Sequence, residues 1–277
     1  MPQPDDKRAA LIRKKFEDSQ KIVREAYQRF PADRLALAFT GGKDSTLVLH
    51  LVHSVCEADS RPMPKVFAVD EGDMFDEVRE FIATAERRYG IDVEFRHNDD
   101  VSRAAGGKLG AMVRVADLDE RNRAEVERLG YEEDEFPYEP ESFVGNHLMK
   151  TATLNRYLFE AGVAAFFEGI RWDEQSSRAE EKYFSPRNAT PYNPEHFRIC
   201  PILHFSERDV WDATFLYDVP VCPLYRQGYR SLGARVTTAR TTDVPAWEQD
   251  LENTDERGGR RQDKEGLMRK LRELGYM

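Results

Sequence analysis

The chain of 277 residues predicts an α/β protein: a mostly parallel sheet with helices on both faces. Three observations carry this expectation. Short apolar runs alternate with longer amphipathic stretches, as in successive strand–helix units. The runs "LALAF", "KVFAV" and "VAAFF" are apolar almost throughout, as strands buried on both faces are. The stretch "FTGGKDS" (39–45) sits between one such run and the helical "TLVLHLV", a strand–glycine turn–helix order.

The elements follow in order. Residues 7–30 place Leu11, Ile12, Phe16, Ile22, Val23, Tyr27 and Phe30 among charges at the spacing of an amphipathic helix. "RLALAF" is the first strand. "DSTLVLHLVHSVCEA" is a helix with Asp44 or Ser45 near its start. "PKVFAVD" is a second strand ending on Asp70, and "FDEVREFIATAERRYG" a helix closed by Gly90. "IDVEFR" gives a third strand, "HLMKTATLNRYLFEAG" a helix, "VAAFFEGI" a fourth strand and "HFRICPILHF" a fifth. "SERDVWDATFLYD" is a helix with Ser206 as its N-cap, three residues before Asp209.

Residues 100–145 break the rhythm with the glycine-rich "RAAGGKLGAM" and the acidic "YEEDEFPYEPES", and are expected to form an acidic insertion or surface loop region. From 234 the chain is polar until "KEGLMRKLRELGYM", expected as a short terminal helix. The expected organisation is an N-terminal helix (1–34), a nucleotide-binding domain (35–233) and a C-terminal tail (234–277). No internal repeat is visible.

Composition narrows the function. A formal net charge of −10 argues against a broad basic surface for nucleic acid. Three cysteines, Cys56, Cys200 and Cys222, without a C-x-x-C pair, argue against a disulfide framework or a thiolate zinc site. No apolar run approaches the length that crosses a bilayer, and the N-terminal "MPQPDDKRAALIRKKFEDSQ" lacks the apolar core of a signal peptide. A cytoplasmic protein without membrane or nucleic-acid partners is expected.

Candidate sites lie past the carboxyl ends of the strands, where ligands bind in parallel sheets. These are "TGGKDS", "DEGDMF" and "GIRWDEQSSR". A glycine turn opening a helix makes an anion site, because glycines admit close backbone approach and the helix presents free N–H groups. Lys43 adds a mobile cation for phosphate. The loop is not a Walker A motif: Leu37 stands where its first glycine belongs, and Asp44 where Ser or Thr follows the lysine.

"TGGKDS" resembles the pyrophosphate loop (PP-loop) of the N-type ATP pyrophosphatases, S-G-G-x-D-S, with Thr40 keeping the hydroxyl of the first serine. "FAVDEGDMFDEVREFI" resembles the second strand and helix of the phosphoadenosine phosphosulfate reductase family, with Glu71 in the middle of its Asp-Thr-Gly. "GIRWDEQSSRAEEKYFSPRN", "MKTATL", "PILHFSERDVW", "VPVCPLY" and the tail from "NTDERGG" are similar to the small, adenylylating subunits of sulfate adenylyltransferase within that superfamily. The resemblance covers about residues 35–95 and 147–277. It implies a Rossmann-like, adenine nucleotide alpha hydrolase-like fold and ATP with Mg²⁺. It also implies cleavage of ATP between its α and β phosphates, with AMP passing to a small anion such as sulfate. A larger GTPase subunit is the implied partner. Thr40, Gly41, Gly42, Lys43, Asp44 and Ser45 would hold the nucleotide, with Asp70 and Lys150. Lys43, Arg171 and Arg178 would serve the chemistry. The metal ligands stay unassigned.

Residue types alone leave alternatives open. Arg171 and Arg178 suit phosphate or sulfate, or equally pair with Asp173, Glu174, Glu180 and Glu181 on a solvated helix. Asp70 could hold Mg²⁺ or a ribose hydroxyl, or cap the next helix. His147 and Lys150 are expected one turn apart on a helix face. Trp211 and Tyr225 are read as packing rather than base-stacking residues. A phosphosulfate reductase would need a reactive thiolate, and no cysteine follows Cys222. FMN adenylyl transfer, as in FAD synthetase, or a non-catalytic nucleotide-binding module are the remaining readings.

Overall fold

The computed structural model describes residues 3–175, 178–190 and 193–259. Six strands form one sheet in the order β3-β2-β1-β6-β8-β7. These are β1 (Leu35–Ala38), β2 (Lys65–Val69), β3 (Val93–Arg96), β6 (Ala165–Phe167), β7 (Phe184–Arg187) and β8 (His196–Ile199). β3, β2, β1, β6 and β8 run parallel, and β7 pairs antiparallel with β8 at the edge. A small antiparallel pair, β4 (Met112–Arg114) and β5 (Glu135–Pro137), stands apart.

The expected mostly parallel sheet with helices on both faces is present. Period-two alternation sends Leu35, Leu37, Val66 and Ala68 to one face and Ala36, Phe67 and Phe166 to the other. The first face is covered by α1 (Asp6–Arg29), α2 (Lys43–Ala58), α3 (Asp76–Tyr89) and α8 (Glu207–Leu216) through one large apolar core. The second is covered by α7 (Thr153–Glu160), with Tyr157 and Leu158 against Phe67 and Phe166. Burial of such side chains contributes about 1.5–3 kcal/mol each.

The helix ends are those the sequence signals. Gly90 closes α3 in the left-handed region (φ 61°). Ser206 caps α8 in a reciprocal box with Asp209. Asp209 also ties α8 to α1 through Arg8 and Lys15.

Two expectations need correction, and one strand of the main sheet was not expected. Residues 100–145 are not a surface loop. With α4 (Asp99–Ala104), α5 (Glu120–Arg128) and the short α6 (Phe143–Asn146) they build a subdomain with its own core of Val101, Val113, Val126, Phe136 and Leu148. The acidic "YEEDEFPYEP" hides Phe136 and Tyr138 as its inward residues. The edge strand β7 escapes sequence reading because Pro186 and Arg187 suit an edge and not a central strand. The polar tail does not start a separate unit at 234, because Ala246 and Trp247 enter the main core beside Trp211 and Phe215. The expected terminal helix "KEGLMRKLRELGYM" lies outside the described residues.

From β1 the chain moves outward to β2 and β3, then returns to place β6 and β8 on β1's other side. The order reverses between β1 and β6. In open parallel sheets the ligand crevice lies at such a reversal, outside the strands' carboxyl ends. Residues 39–45 and 168–174 leave those two ends.

Candidate functional site: the crevice between the first and sixth strands

Gly41 turns the chain off β1 with φ 72°, and a Cβ there would lie 2.9 Å from Val78 of α3. Gly42 caps α2 with ordinary extended geometry. Its missing side chain leaves the space beside Thr40 Oγ1 and Tyr225 Oη, at 3.4 and 3.5 Å from an ideal Cβ. Ser45 Oγ lies 3.1 Å from Thr40 Oγ1, accepts the Thr40 N–H and donates to the Gly42 carbonyl at 3.0 Å. The hydroxyls at 40 and 45 thus lock the turn. Tyr225 accepts the Lys43 N–H at 2.8 Å and packs edge-on to Trp211. Both aromatics are buried supports of the loop, as the packing reading expects.

Lys43 is no mobile cation. Its side chain is 2% exposed, and Nζ meets Glu256 Oε1 at 2.5 Å and the Arg230 carbonyl at 3.0 Å. Glu207 and Asp44 lie farther off at 3.6 and 3.8 Å. Arg171, fully buried at the end of β6, donates to Asp44 Oδ1, to Glu256 Oε2 and to Asp173 Oδ1 at 2.9 Å. One carboxylate, Glu256, therefore bridges the lysine of the glycine loop to the arginine across the crevice.

Burial alone would raise the Glu256 carboxyl; the charges of Lys43 and Arg171 overcome it and hold the group at about 2. Burial likewise opposes charge on Lys43 and Arg171, but their carboxylate partners raise both. Burial pushes the Glu207 and Glu174 carboxyls up against the pull of their cations. Glu207 is held by the buried Arg230, which also binds the carbonyls of Asp250, Leu251 and Thr254.

The sequence-predicted residues divide into groups. Thr40 to Ser45 and Arg171 come together. Arg178 joins only at the margin: it pairs with Glu174, which also holds Arg257 at 3.2 Å. The ion-pair reading therefore describes Arg178 well and Arg171 only in part. Asp70 accepts the Gly72 N–H at 2.9 Å and Arg79 at 2.7 Å, so it closes the turn after β2 and pairs with α3. Lys150 is half exposed and meets Glu71 at 2.7 Å.

His147 and Lys150 do not share a face. The segment His147–Ala152 is a π-helical turn, and its wider winding sends His147 inward to Glu125 at 2.6 Å while Lys150 points out. Among the described residues no group of three or more His, Cys, Asp or Glu side chains is arranged to hold a metal.

Sequence reasoning missed Gly169, Glu207, Arg230 and Glu256. An ideal Cβ on Gly169 would lie 2.7 Å from Asp44 C and Ser45 N, so this glycine lets β6's end press against α2's first turn. Its signal was a glycine just past an apolar run. Glu256 lies in "NTDERGG", whose resemblance assigns it no role, and Arg230 in "GYRSLGARV", which none of the quoted motifs includes.

All three cysteines are buried and free. Burial raises the Cys56 thiol, raises Cys222 to about 11 and holds Cys200 well above the usual thiol range.

No helix among the described residues is long and apolar enough to cross a membrane. The family described as "Phosphoadenosine phosphosulfate reductase domain" matches residues 34–124 and 112–240. Among curated relatives, sulfate adenylyltransferase subunit 2 of Pectobacterium carotovorum is 28% identical over 240 residues, covering 80% of this chain and 69% of that protein. The same subunit from Serratia proteamaculans is 27% identical with the same coverage. Among solved structures, Candida glabrata FMN adenylyltransferase with FAD and inorganic pyrophosphate superposes with a TM-score of 0.60 at 19% identity. It covers 86% of this chain and 69% of that one. The phosphoadenylyl-sulfate reductase of Candida auris gives 0.56 at 16% identity, covering 86% and 99%. With a family match running from β1 to beyond Tyr225 and a superposable Rossmann-like sheet, the chain belongs to the phosphoadenosine phosphosulfate reductase domain family.

Proposed function

We propose that this chain is a nucleotidyltransferase that transfers AMP from MgATP to a small oxyanion, sulfate, releasing pyrophosphate. The observation that carries the reading is the pairing of Lys43, on the glycine loop, with Arg171 across the β1/β6 reversal, around a buried anionic group. The relatives named sulfate adenylyltransferase subunit 2 support the acceptor and, through the word "subunit", a partner chain. A larger GTPase subunit belongs to the same reading.

A sulfate oxygen attacks the α-phosphorus, and the bond to the β-phosphate oxygen breaks as pyrophosphate leaves with the electron pair. No protein nucleophile is needed. The chain's work is positioning and charge neutralisation. The Gly41–Ser45 backbone and Lys43 would hold the β and γ phosphates. Arg171 would offset the repulsion between two anions where the new bond forms. Mg²⁺ arrives with the triphosphate as part of the substrate, in keeping with its habit of binding phosphates and only one or two carboxylates.

A reductase needs an accessible low-pKa thiolate. The buried, raised thiols of Cys56, Cys200 and Cys222 do not supply one.

The test is pyrophosphate release from MgATP in the presence of sulfate, of FMN or of neither, with and without a GTPase partner. Stimulation by sulfate is the expected result. Stimulation by FMN alone would transfer the reading to flavin adenylylation, and ATP binding without turnover would make the chain a nucleotide-binding module.

A further inference from the structure

The tail supplies an anion to a crevice read as an anion site. Glu256 uses both carboxylate oxygens there, one on Lys43 and one on Arg171, and both cations are closed off from solvent. This is the arrangement two oxygens of a phosphate would adopt. Asp44, Asp173 and Glu256 more than offset the charges of Lys43 and Arg171, while Glu207 is matched by Arg230. A phosphate chain entering the same place would meet a filled seat with no net positive charge.

The backbone around Glu256 is held independently of that carboxylate. Arg230 grips the carbonyls of Asp250, Leu251 and Thr254 before it, and Glu174 holds Arg257 after it at 3.2 Å. The side chain can therefore leave without detaching the segment, while the turn that carries it loosens as its bonds to Lys43 and Arg171 are lost.

We propose that Glu256 is an exchangeable internal anion that occupies the phosphate seat between Lys43 and Arg171 and must be displaced by the incoming pyrophosphoryl group. The inference rests on reading that crevice as the phosphate site. It makes the tail a competitor of the substrate. The apparent affinity for nucleotide is the intrinsic affinity reduced by the fraction of molecules in which the seat is open. Because the carboxyl is held at about 2, protonation cannot open the seat near neutral pH; exchange with another anion must do so.

Two measurements test this on the full chain with inorganic pyrophosphate and MgATP as probes. Calorimetry compares the wild type with Glu256→Gln. Hydrogen exchange follows the 250–259 segment of the wild type with and without saturating pyrophosphate. We expect Glu256→Gln to bind pyrophosphate about tenfold tighter or more, since a neutral amide gives up the charge-assisted bonds that hold the seat closed. We expect the wild-type segment to lose protection on binding. Unchanged or weaker binding by Glu256→Gln, or greater protection of the segment, would make Glu256 a fixed part of the bound site and overturn the proposal. If Glu256→Gln fails to fold, the wild-type exchange measurement decides alone. Absence of pyrophosphate and MgATP binding in both proteins would instead bring down the reading of the crevice itself.

Discussion

Gly169→Ala is a small change with a calculable effect. An ideal Cβ at this position meets Asp44 C and Ser45 N at 2.7 Å and Asp44 O at 2.9 Å. These are backbone atoms in α2's first turn, so no side-chain rotation relieves the clash. Ordinary contact needs the two segments to part by about 0.7 Å, and such overpacking costs about 1–3 kcal/mol. For a chain of this size each kcal/mol lowers Tm by roughly 2–4 °C, so the expected loss is about 2–12 °C. The same displacement moves Lys43 and Asp44 away from Arg171, and a misplacement near 1 Å in a catalytic site costs as much as about 10² in rate. Gly42→Ala is the control. Gly42 has unstrained φ, and its Cβ would approach only the tips of Thr40 and Tyr225, so Tm should hold while MgATP affinity falls as the methyl fills the loop. Thermal melts and MgATP calorimetry on both variants decide the matter. A Gly169→Ala protein with wild-type Tm and wild-type binding would refute the close approach of β6's end to the loop.

Other perturbations separate the remaining roles. Arg171→Ala leaves Asp44, Asp173 and Glu256 without a shared cation, and should cost about 3–5 kcal/mol in denaturant unfolding as well as adenylyl transfer; Arg171→Lys should recover only part of either. Arg178→Ala removes one of two cations from the buried Glu174, with Arg257 remaining, and should cost about 1–3 kcal/mol, so a rate loss far beyond that destabilisation would mark a direct role in the reaction. The Cys56→Ser, Cys200→Ser, Cys222→Ser variant should keep whatever pyrophosphate-releasing activity the wild type has; thioredoxin-dependent sulfite production lost in that variant would overturn the non-thiol reading. Burial holds His196 neutral down to about 4. The unfolded chain takes up that proton near 6.5, so stability present above pH 6.5 falls toward pH 4, by up to about 3 kcal/mol for this group. Urea unfolding at pH 7 and pH 4.5 should show that loss shrinking in His196→Gln, and an equal loss in both proteins would remove His196 as its source.

The sheet was legible because its strands are locally apolar and its helices carry their own stop signals, such as Gly90 and the Ser206–Asp209 box. The glycine loop was legible for the same local reason: a turn residue, a helix start and a strand end occur together within seven positions. What escaped is non-local. Glu256 lies 85 residues from Arg171 and 213 from Lys43, and nothing in "NTDERGG" states which cation it meets. The subdomain within 100–145 was hidden because its strands are three residues long and the acids of "YEEDEFPYEP" lie on the outside of a small core. Asp70 and Lys150 match positions in motifs, yet their partners in the structure are Arg79 and Glu71.

Under the proposed function ATP is cut between its α and β phosphates, with the outgoing pyrophosphate against the glycine loop and Lys43. The most direct test follows the products of γ-labelled MgATP with sulfate and a GTPase partner present, in the wild type and in Lys43→Ala. Labelled pyrophosphate together with an AMP-bearing product is expected from the wild type, and loss of both in the variant. Labelled orthophosphate with ADP, or undiminished pyrophosphate from Lys43→Ala, would contradict it.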